Sequence, residues 1–158
     1  KQKNREHNFT TTKRTVEMTA ERGITVGAHV IIRLPGETAE DSVRQADDMS
    51  QLPLDILKIH QMQIIKGTKL ADIYAKTPFP LYSPEEYMEV IVRYLEHLRP
   101  DMVVERFASQ SPKDMLIAPH WGLKNYELTN LIVNKMRKEG RRQGSLAKSK
   151  SLSADMSL

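Results

Sequence analysis

Residues 24–32 of the chain read ITVGAHVII and decide its fold. β-Branched residues dominate this stretch, and it contains no Asp, Glu, Lys or Arg. Such a run is typical of a strand that is covered on both faces in a parallel sheet. Residues 33–37 (RLPGE) then break the strand. Thr38, with Asp41 three residues later, predicts the capped start of a helix.

A second strand is predicted over residues 54–65, where apolar side chains alternate with lysine, histidine and glutamine. The helix between the two strands carries Val43, Ala46 and Met49 at three-residue steps, which gives it one apolar face. Strand, helix and strand in this order form a βαβ unit, for which parallel pairing and a right-handed crossover are expected. We therefore predict an α/β fold.

The remaining elements precede or follow this unit, and those after it are predicted to form a small α+β extension. They are a helix from Phe9, a short helix through Tyr74, a helix that begins at Ser83-Pro84, a strand over 102–107 and a last helix from Asn125 to about Lys138. A loop is expected between the strand and the last helix. That helix is expected to place Leu128, Leu131, Ile132 and Met136 inward.

Composition limits the possible classes of protein. With 158 residues and 39% hydrophobic content, the chain can form one ordinary domain. The sequence contains neither an apolar run that would span a membrane nor a secretory signal, so we expect a cytoplasmic protein with no membrane contact. Cysteine is absent. Disulfides, thiolate nucleophiles and cysteine-ligated clusters are therefore excluded within this chain.

The net charge of +4 indicates a nucleic-acid partner only weakly. From Arg141 onward the chain holds four basic residues and one acidic residue, which leaves 20 basic and 19 acidic residues in the rest. A basic end of this kind is usually solvated, and it has few large apolar side chains to order it. We predict that residues 141–158 form a disordered basic tail.

The carboxyl ends of the two parallel strands are the expected place for a functional site, because the loops there expose backbone groups to a ligand. Residues 34–37 and 63–68 lie at those ends. From the residues alone, 35–38 is either a tight turn that feeds the capped helix or a surface on which a ligand packs.

Histidine does not predict a metal site in this chain. The five histidines are His7, His29, His60, His97 and His120, and none is at a metal-ligand spacing from another. His29 and His60 lie within strands, as core histidines or as substrate contacts, and Lys58 shares a strand face with His60. Trp121 and Tyr126 lack an interleaved basic face and are expected to pack in the core or a loop.

Residues 29–38 (HVIIRLPGET) resemble the fifth-strand motif of radical S-adenosylmethionine (SAM) enzymes, an apolar strand followed by Gly-Leu-Pro-Gly-Glu-Thr. The similarity extends along most of the chain to a YhcC-like bacterial branch related to the radical SAM domain of the elongator acetyltransferase. The other matching stretches are residues 5–9, 21–24, 57–60, 65–68, 104–107, 116–121 and 143–144.

The resemblance implies a partial (β/α)6 TIM-like barrel that binds SAM and a [4Fe–4S] cluster held by three cysteines. Reductive cleavage of SAM then gives a 5′-deoxyadenosyl radical that abstracts hydrogen from a substrate, which the sequence does not identify. Residues 1–76 would be the C-terminal half of the barrel, 77–140 the extension and 141–158 the tail. The cysteine loop would precede Lys1, so we expect a fragment that is inactive alone.

The resemblance also assigns a cofactor site and leaves the catalytic residues unknown. The residue that matches Ile31 packs on adenine, Leu34, Pro35 and Gly36 shape the turn, and Met62, Gln63 and Ile64 complete the adenine pocket, largely through their backbone. Lys58 and His60 are candidates for facing the substrate. Glu37 is expected to stabilise the turn. Arg33 replaces the usual glycine and either crowds the nucleoside or points outward.

An alternative interpretation is a non-catalytic α/β binding module that has lost the cluster half and associates with nucleic acid. In the enzyme interpretation the main partner is the missing N-terminal half of the barrel. Without that half, the first strand would expose an unpaired edge, and the isolated chain is expected to self-associate.

Overall fold

The computed structural model describes residues 9–148. The helices are α1 (Phe9–Ala20), α2 (Ala39–Gln51), α3 (Lys69–Lys76), α4 (Pro84–His97) and α5 (Asn125–Glu139). The strands are β1 (Gly27–Ile32), β2 (Ile56–Gln61), β3 (Ile64–Ile65), β4 (Val103–Arg106) and β5 (Leu116–Ala118).

Capping residues fix where two of the helices begin. Thr38 precedes α2, and its hydroxyl accepts a hydrogen bond from the Asp41 N–H while the Asp41 carboxylate accepts one from the Thr38 N–H. Ser83 and Glu86 make the same reciprocal pair ahead of α4. Each pair satisfies backbone donors that the first turn of a helix leaves without an acceptor. Both predicted helix starts are confirmed.

The central sheet is parallel and has the strand order β1-β2-β4. β1 pairs with β2 along its whole length, from Gly27 beside Ile56 to Ile32 beside Gln61. Because α2 connects these two strands, the predicted βαβ unit with parallel pairing is confirmed.

One face of the central sheet is covered by helices. Val30 and Ile32 from β1 and Leu57 and Ile59 from β2 are at most 5% exposed. They share a hydrophobic core with α2 and α4, whose contributions include Ala46, Met49, Tyr87, Ile91 and Leu95. The apolar stripes of the two helices therefore explain why alternate strand residues are buried.

The opposite face of the same sheet is open. In β1, His29 is exposed and Ile31 is 42% exposed, while Lys58 and His60 in β2 are half-buried. The prediction that the first strand is covered on both faces is thus wrong. Burial alternates with a period of two along this strand, because in residues 9–148 helices pack on one face only. The run of apolar residues in the sequence does not show this alternation.

The predicted second strand is two strands. β2 ends at Gln61, and after a two-residue break β3 joins a different sheet, in which it pairs antiparallel with β5. β5 lies in the stretch predicted to be a loop. Its three residues pair with a distant partner, so their extended form depends on tertiary contacts rather than on a local pattern.

Residues 141–148 pack on the domain, contrary to the predicted start of the disordered tail. The Gln143 amide donates to the carbonyl oxygens of Arg99 and Met102, and Arg141 forms ion pairs with Glu89 and Glu96. Polar contacts rather than apolar burial order this segment, which explains why its composition was misleading. Residues 149–158 of the predicted tail lie outside the described part of the chain.

The last helix matches its predicted span but not its whole predicted face. Leu128 and Ile132 are fully buried, and Met136 packs against the core. Leu131 is 43% exposed, so its predicted inward position is wrong.

Candidate functional site

The carboxyl ends of β1 and β2 meet at one edge of the central sheet. Ile31 lies beside His60, and Ile32 lies beside Gln61. The residues that follow, Arg33 after β1 and Met62 after β2, line one small cleft. The structure thus brings together the two segments in which the sequence placed the cofactor site.

The turn after β1 is held by its own glutamate. The Leu34 N–H donates to Glu37 Oε2 at 2.9 Å, and the Glu37 N–H donates to the Leu34 carbonyl oxygen at 2.9 Å. Gly36 has a φ of +84°, a left-handed conformation that glycine adopts without steric cost. Glu37 therefore stabilises the turn, as expected.

Arg33 has a left-handed backbone and points toward a tyrosine. Its φ is 62°, uncommon for a residue with a Cβ. The guanidinium carbon lies 4.3 Å from the centroid of the Tyr82 ring, a cation–π contact. The arginine thus keeps the backbone geometry expected of the glycine it replaces, and its side chain stacks on the loop before α4.

Three of the predicted pocket residues use their side chains for packing. Met62 is 7% exposed and Ile64 is fully buried, and both belong to a second hydrophobic cluster with Ala71, against which Leu34 packs. Met62 and Ile64 thus offer a ligand almost no surface, from either side chain or backbone. The largely backbone contacts that the resemblance implies for residues 62–64 stay a prediction.

Two glutamines, Gln61 and Gln63, hold the loop that follows β4 against the end of β2. The Gln61 side chain donates to the Ser109 carbonyl oxygen at 2.8 Å and accepts from the Ser109 N–H at 2.9 Å. Gln63 accepts from the Ser111 hydroxyl at 2.8 Å. This role of the two glutamines was not predicted from the sequence. Two amide side chains that lie two residues apart at the end of a strand could have indicated it.

A polar cluster lies on the open face below this edge. The rings of His29 and His60 stack with their centroids 5.4 Å apart and their planes at 28°. Lys58 Nζ lies 3.0 Å from Glu105 Oε1. The predicted shared face of Lys58 and His60 is confirmed by their matching half-burial in β2.

A β-bulge in β4 adds a carboxylate and a guanidinium to this cluster. Val104 pairs with Leu57, but the next residue of β2, Lys58, pairs with Arg106. Two residues of β4 therefore oppose one of β2, an arrangement that re-aims side chains. Strict alternation along β4 would not have predicted that Glu105 and Arg106 both approach Lys58.

The charges of the cluster shift the acidities of its members. Burial lowers the pKa of His60, and the positive charges of His29, Arg106 and Lys58 lower it further. The hydrogen bond from Lys58 lowers the pKa of Glu105. His60 Nε2 is buried and finds no hydrogen-bond partner among the described residues. The open face is thus an electropositive environment.

The other aromatic and histidine residues lie away from this cluster. His97 Nδ1 lies 3.1 Å from Asp47 Oδ1 between α2 and α4. Trp121 packs against the core and donates to the Tyr82 carbonyl oxygen, as expected, but Tyr126 is 59% exposed, so its predicted packing is wrong. His7 lies outside the described residues.

The described residues show neither a metal site nor a membrane span. Between residues 9 and 148, no three His, Asp or Glu side chains are grouped as metal ligands would be. None of the helices in the same range is both long enough and apolar enough to cross a bilayer.

Comparison with known proteins gives the family. Residues 54–138, more than half of the chain, match the model of the Radical_SAM C-terminal domain. The chain belongs to this family. In this radical SAM C-terminal domain, β2 of the matched residues pairs with β1, and α4 packs on α2, two elements that precede residue 54.

Relatives of this radical SAM C-terminal domain include longer proteins. It is 29% identical to the uncharacterized protein MJ0486 of Methanocaldococcus jannaschii over 90% of the chain and 44% of that protein. It is 26% identical to protein YhcC of Escherichia coli over 75% of the chain and 38% of YhcC. It is 26% identical to the tRNA uridine(34) acetyltransferase of Methanocaldococcus infernus over 87% of the chain and 26% of that enzyme. The chain thus spans less than half of each of these relatives.

A solved structure shares the fold. The archaeal Elp3 of Methanocaldococcus infernus with residues 1–46 deleted superposes with a TM-score of 0.77 at 22% identity, over 89% of this chain and 33% of that one. The α/β architecture with a parallel sheet is therefore confirmed, and so is the predicted relation to YhcC-like and elongator-type radical SAM proteins.

Proposed function

We propose that this radical SAM C-terminal domain is part of a radical SAM enzyme and supplies one wall of its SAM pocket. The observation that carries the proposal is the edge where β1 and β2 end. There Ile31, exposed on the open face, lies beside His60 and precedes the residues Ile32 and Arg33 that line the small cleft with Gln61 and Met62. An apolar side chain next to polar side chains such as His60 and Arg33 is suited to a nucleoside, which offers a flat face and a polar rim.

The iron-sulfur cluster does not fit the residues of this chain. The sequence has no cysteine, and residues 9–148 contain no group of metal-ligating side chains. In the proposed enzyme the cluster ligands therefore come from outside these 158 residues, and this chain holds SAM only in part.

SAM does fit the residues at the strand ends. Ile31 is 42% exposed on the open face, so it has an apolar surface to place against adenine. Met62 and Ile64, which follow β2, are buried in the second hydrophobic cluster, and Leu34 of the turn packs against that cluster. When bound to a reduced cluster, SAM supplies the radical chemistry, and the protein contributes binding, orientation and exclusion of water.

The open face and the unpaired edge of β1 in residues 9–148 support a partner for this chain in the proposed enzyme. In residues 9–148, β1 pairs with β2 on one side only. We propose that strands of an N-terminal half pair with this edge and complete a partial (β/α)6 barrel, in which the open face lines the interior. Unpaired strand edges are sites of association, which supports this arrangement.

The test uses the complete protein that contains this chain. It is purified, reconstituted without oxygen with iron and sulfide, and examined for the visible charge-transfer absorption of an iron-sulfur cluster and for cleavage of SAM under reduction. The proposal predicts both signals. A complete protein that binds no cluster would contradict the enzyme and favour the non-catalytic binding module.

A further inference from the structure

The open face carries a row of basic side chains that the SAM pocket does not use. We propose that this basic row, defined by His29, Lys58 and Arg106 with His60 above it, binds an anionic group of the substrate, a phosphate or a carboxylate. The proposal rests on the proposed function in one respect, namely that this face lines the interior of an enzyme.

The pairing register of the three strands brings the members of the row side by side. His29 of β1 pairs with Lys58 of β2, and Lys58 pairs with Arg106 of β4, so three neighbouring strands present basic residues at one level. Paired residues of adjacent strands present their side chains on the same face. The His60 ring stacks on His29 from the next level of β2. No single segment of the sequence reveals this row, because its members come from three strands.

Charge in the row is only partly balanced. Glu105 pairs with Lys58 at 3.0 Å and with Arg106 at 3.4 Å, and its side chain is 42% exposed. One carboxylate therefore faces two permanent cations and two imidazoles. Like charges on neighbouring strands destabilise a sheet unless a counter-charge is present. A bound anion would supply that charge.

The surroundings of His60 are a second indication that the row lacks negative charge. Its Nε2 is buried and has no hydrogen-bond partner in the part of the chain that the structure describes. A buried nitrogen without a partner is costly. Because Nε2 has almost no accessible surface, an anion in the row would act on the ring through its charge rather than through a direct hydrogen bond. The neighbouring positive charges that lower its pKa would be offset by the same anion.

The size of the row favours a single small anionic group over a polyanion. Adjacent strands lie about 4.8 Å apart, so a row over three strands is roughly 10 Å long. Lys58 is recessed, with 27% of its side chain exposed. Nucleic acid requires a longer basic surface that follows its backbone. One phosphate or carboxylate is sufficient to occupy this row.

Nuclear magnetic resonance of the histidine rings tests the proposal on the complete protein that contains this chain, used without reconstitution of a cluster. Inorganic phosphate is added at constant pH and ionic strength, with chloride as the balancing anion, and a parallel titration uses acetate. We expect the ring signals of His29 and His60 to shift and saturate, while those of His97 and His120 stay constant. The titration needs neither SAM nor a cluster, so a negative result would not count against the proposed SAM pocket.

Three variants separate a site from general electrostatics. Lys58→Gln and Arg106→Gln should each weaken phosphate binding about tenfold, because each removes a charge-assisted hydrogen bond. Lys113→Gln, an exposed lysine outside the row, should change the affinity by less than about twofold. Amide spectra of each variant show whether it is folded.

Two results would overturn the anion site. In the first, all histidines shift together without saturation, which is the behaviour of a solvated basic surface. In the second, phosphate and acetate leave His29 and His60 unchanged while SAM shifts them, which would assign the row to the cofactor's carboxylate instead of the substrate.

Discussion

The two faces of the central sheet are built from the same strands and differ in every other respect. On the covered face, Val30, Ile32, Leu57 and Ile59 are nearly inaccessible and pack on α2 and α4. On the open face, their chain neighbours are basic or exposed apolar residues. The period of two along a strand thus separates core residues from exposed residues within one six-residue element.

Substitutions on the two faces should therefore change the free energy of unfolding by different amounts. A side chain on the covered face is surrounded by core atoms, so its loss leaves a cavity. A side chain on the open face is not enclosed by core atoms in residues 9–148, so its loss leaves no comparable cavity.

Ile59→Ala should lower the free energy of unfolding by about 2–5 kcal/mol, because the residue is fully buried in the core. Ile31→Ala, on the open face of the neighbouring strand, should lower it by less than about 1 kcal/mol. Urea unfolding monitored by circular dichroism measures both. Equal losses would mean that the open face is covered in solution.

Self-association should depend on the open face and the free edge of β1. We expect the isolated chain to form dimers or larger species in sedimentation, because a strand edge and Ile31 are exposed together. Ile31→Lys should shift the distribution toward monomer, since an inward charge on an edge strand opposes pairing. A clean monomer for the unmodified chain would contradict this expectation.

Gly36→Ala should destabilise the chain by about 1–2 kcal/mol. The φ of +84° is the cause, since an added Cβ would find open space around it. Gly27→Ala is the matched control, because Gly27 has no left-handed φ and an added Cβ would make ordinary contacts at 3.7 Å. Thermal unfolding of both variants measures the difference, and a larger effect at Gly27 would refute the assignment.

His60 should make stability depend on pH by a smaller amount. Its pKa in the folded chain is below its ordinary value of 6.5, so the unfolded chain binds more protons and stability falls as the pH drops below 6.5. His60→Gln should flatten this dependence. Lys58→Gln should raise the pKa of His60 in a ring-proton titration, because it removes one of the positive charges around the ring. The other charges belong to His29 and to Arg106, which lies beside Glu105. An unchanged pKa in that variant would show that Lys58 does not act on the ring.

The elements with strong local signals could be predicted from the sequence. The helix starts at Thr38 and Ser83 depend on residues three apart in the chain, and both were found. The same-face placement of Lys58 and His60 follows from strand geometry alone. The turn at 33–37 was recognised because its glycine and glutamate serve the turn itself.

What could not be predicted depends on distant partners. β5 is extended because it pairs with β3, and residues 141–148 are ordered by side chains of α4 and by backbone carbonyl oxygens of the loop after it. Arg106 joins the basic row through a bulge that no periodicity reveals. In each case a contact distant in sequence determines the local structure, and a single sequence shows neither the contact nor its result.

The most direct test of the account is the affinity of the complete protein for SAM with one substitution at each end of the open face. Ile31 and Val103 are both exposed apolar residues on this face, at its carboxyl and amino ends respectively. Isothermal titration with the reconstituted protein should show that Ile31→Asn weakens SAM binding about tenfold, because an apolar contact with adenine is lost. Val103→Asn should leave the affinity within about twofold. Equal affinities for the two variants and the unmodified protein would contradict the assignment of this edge to the SAM pocket.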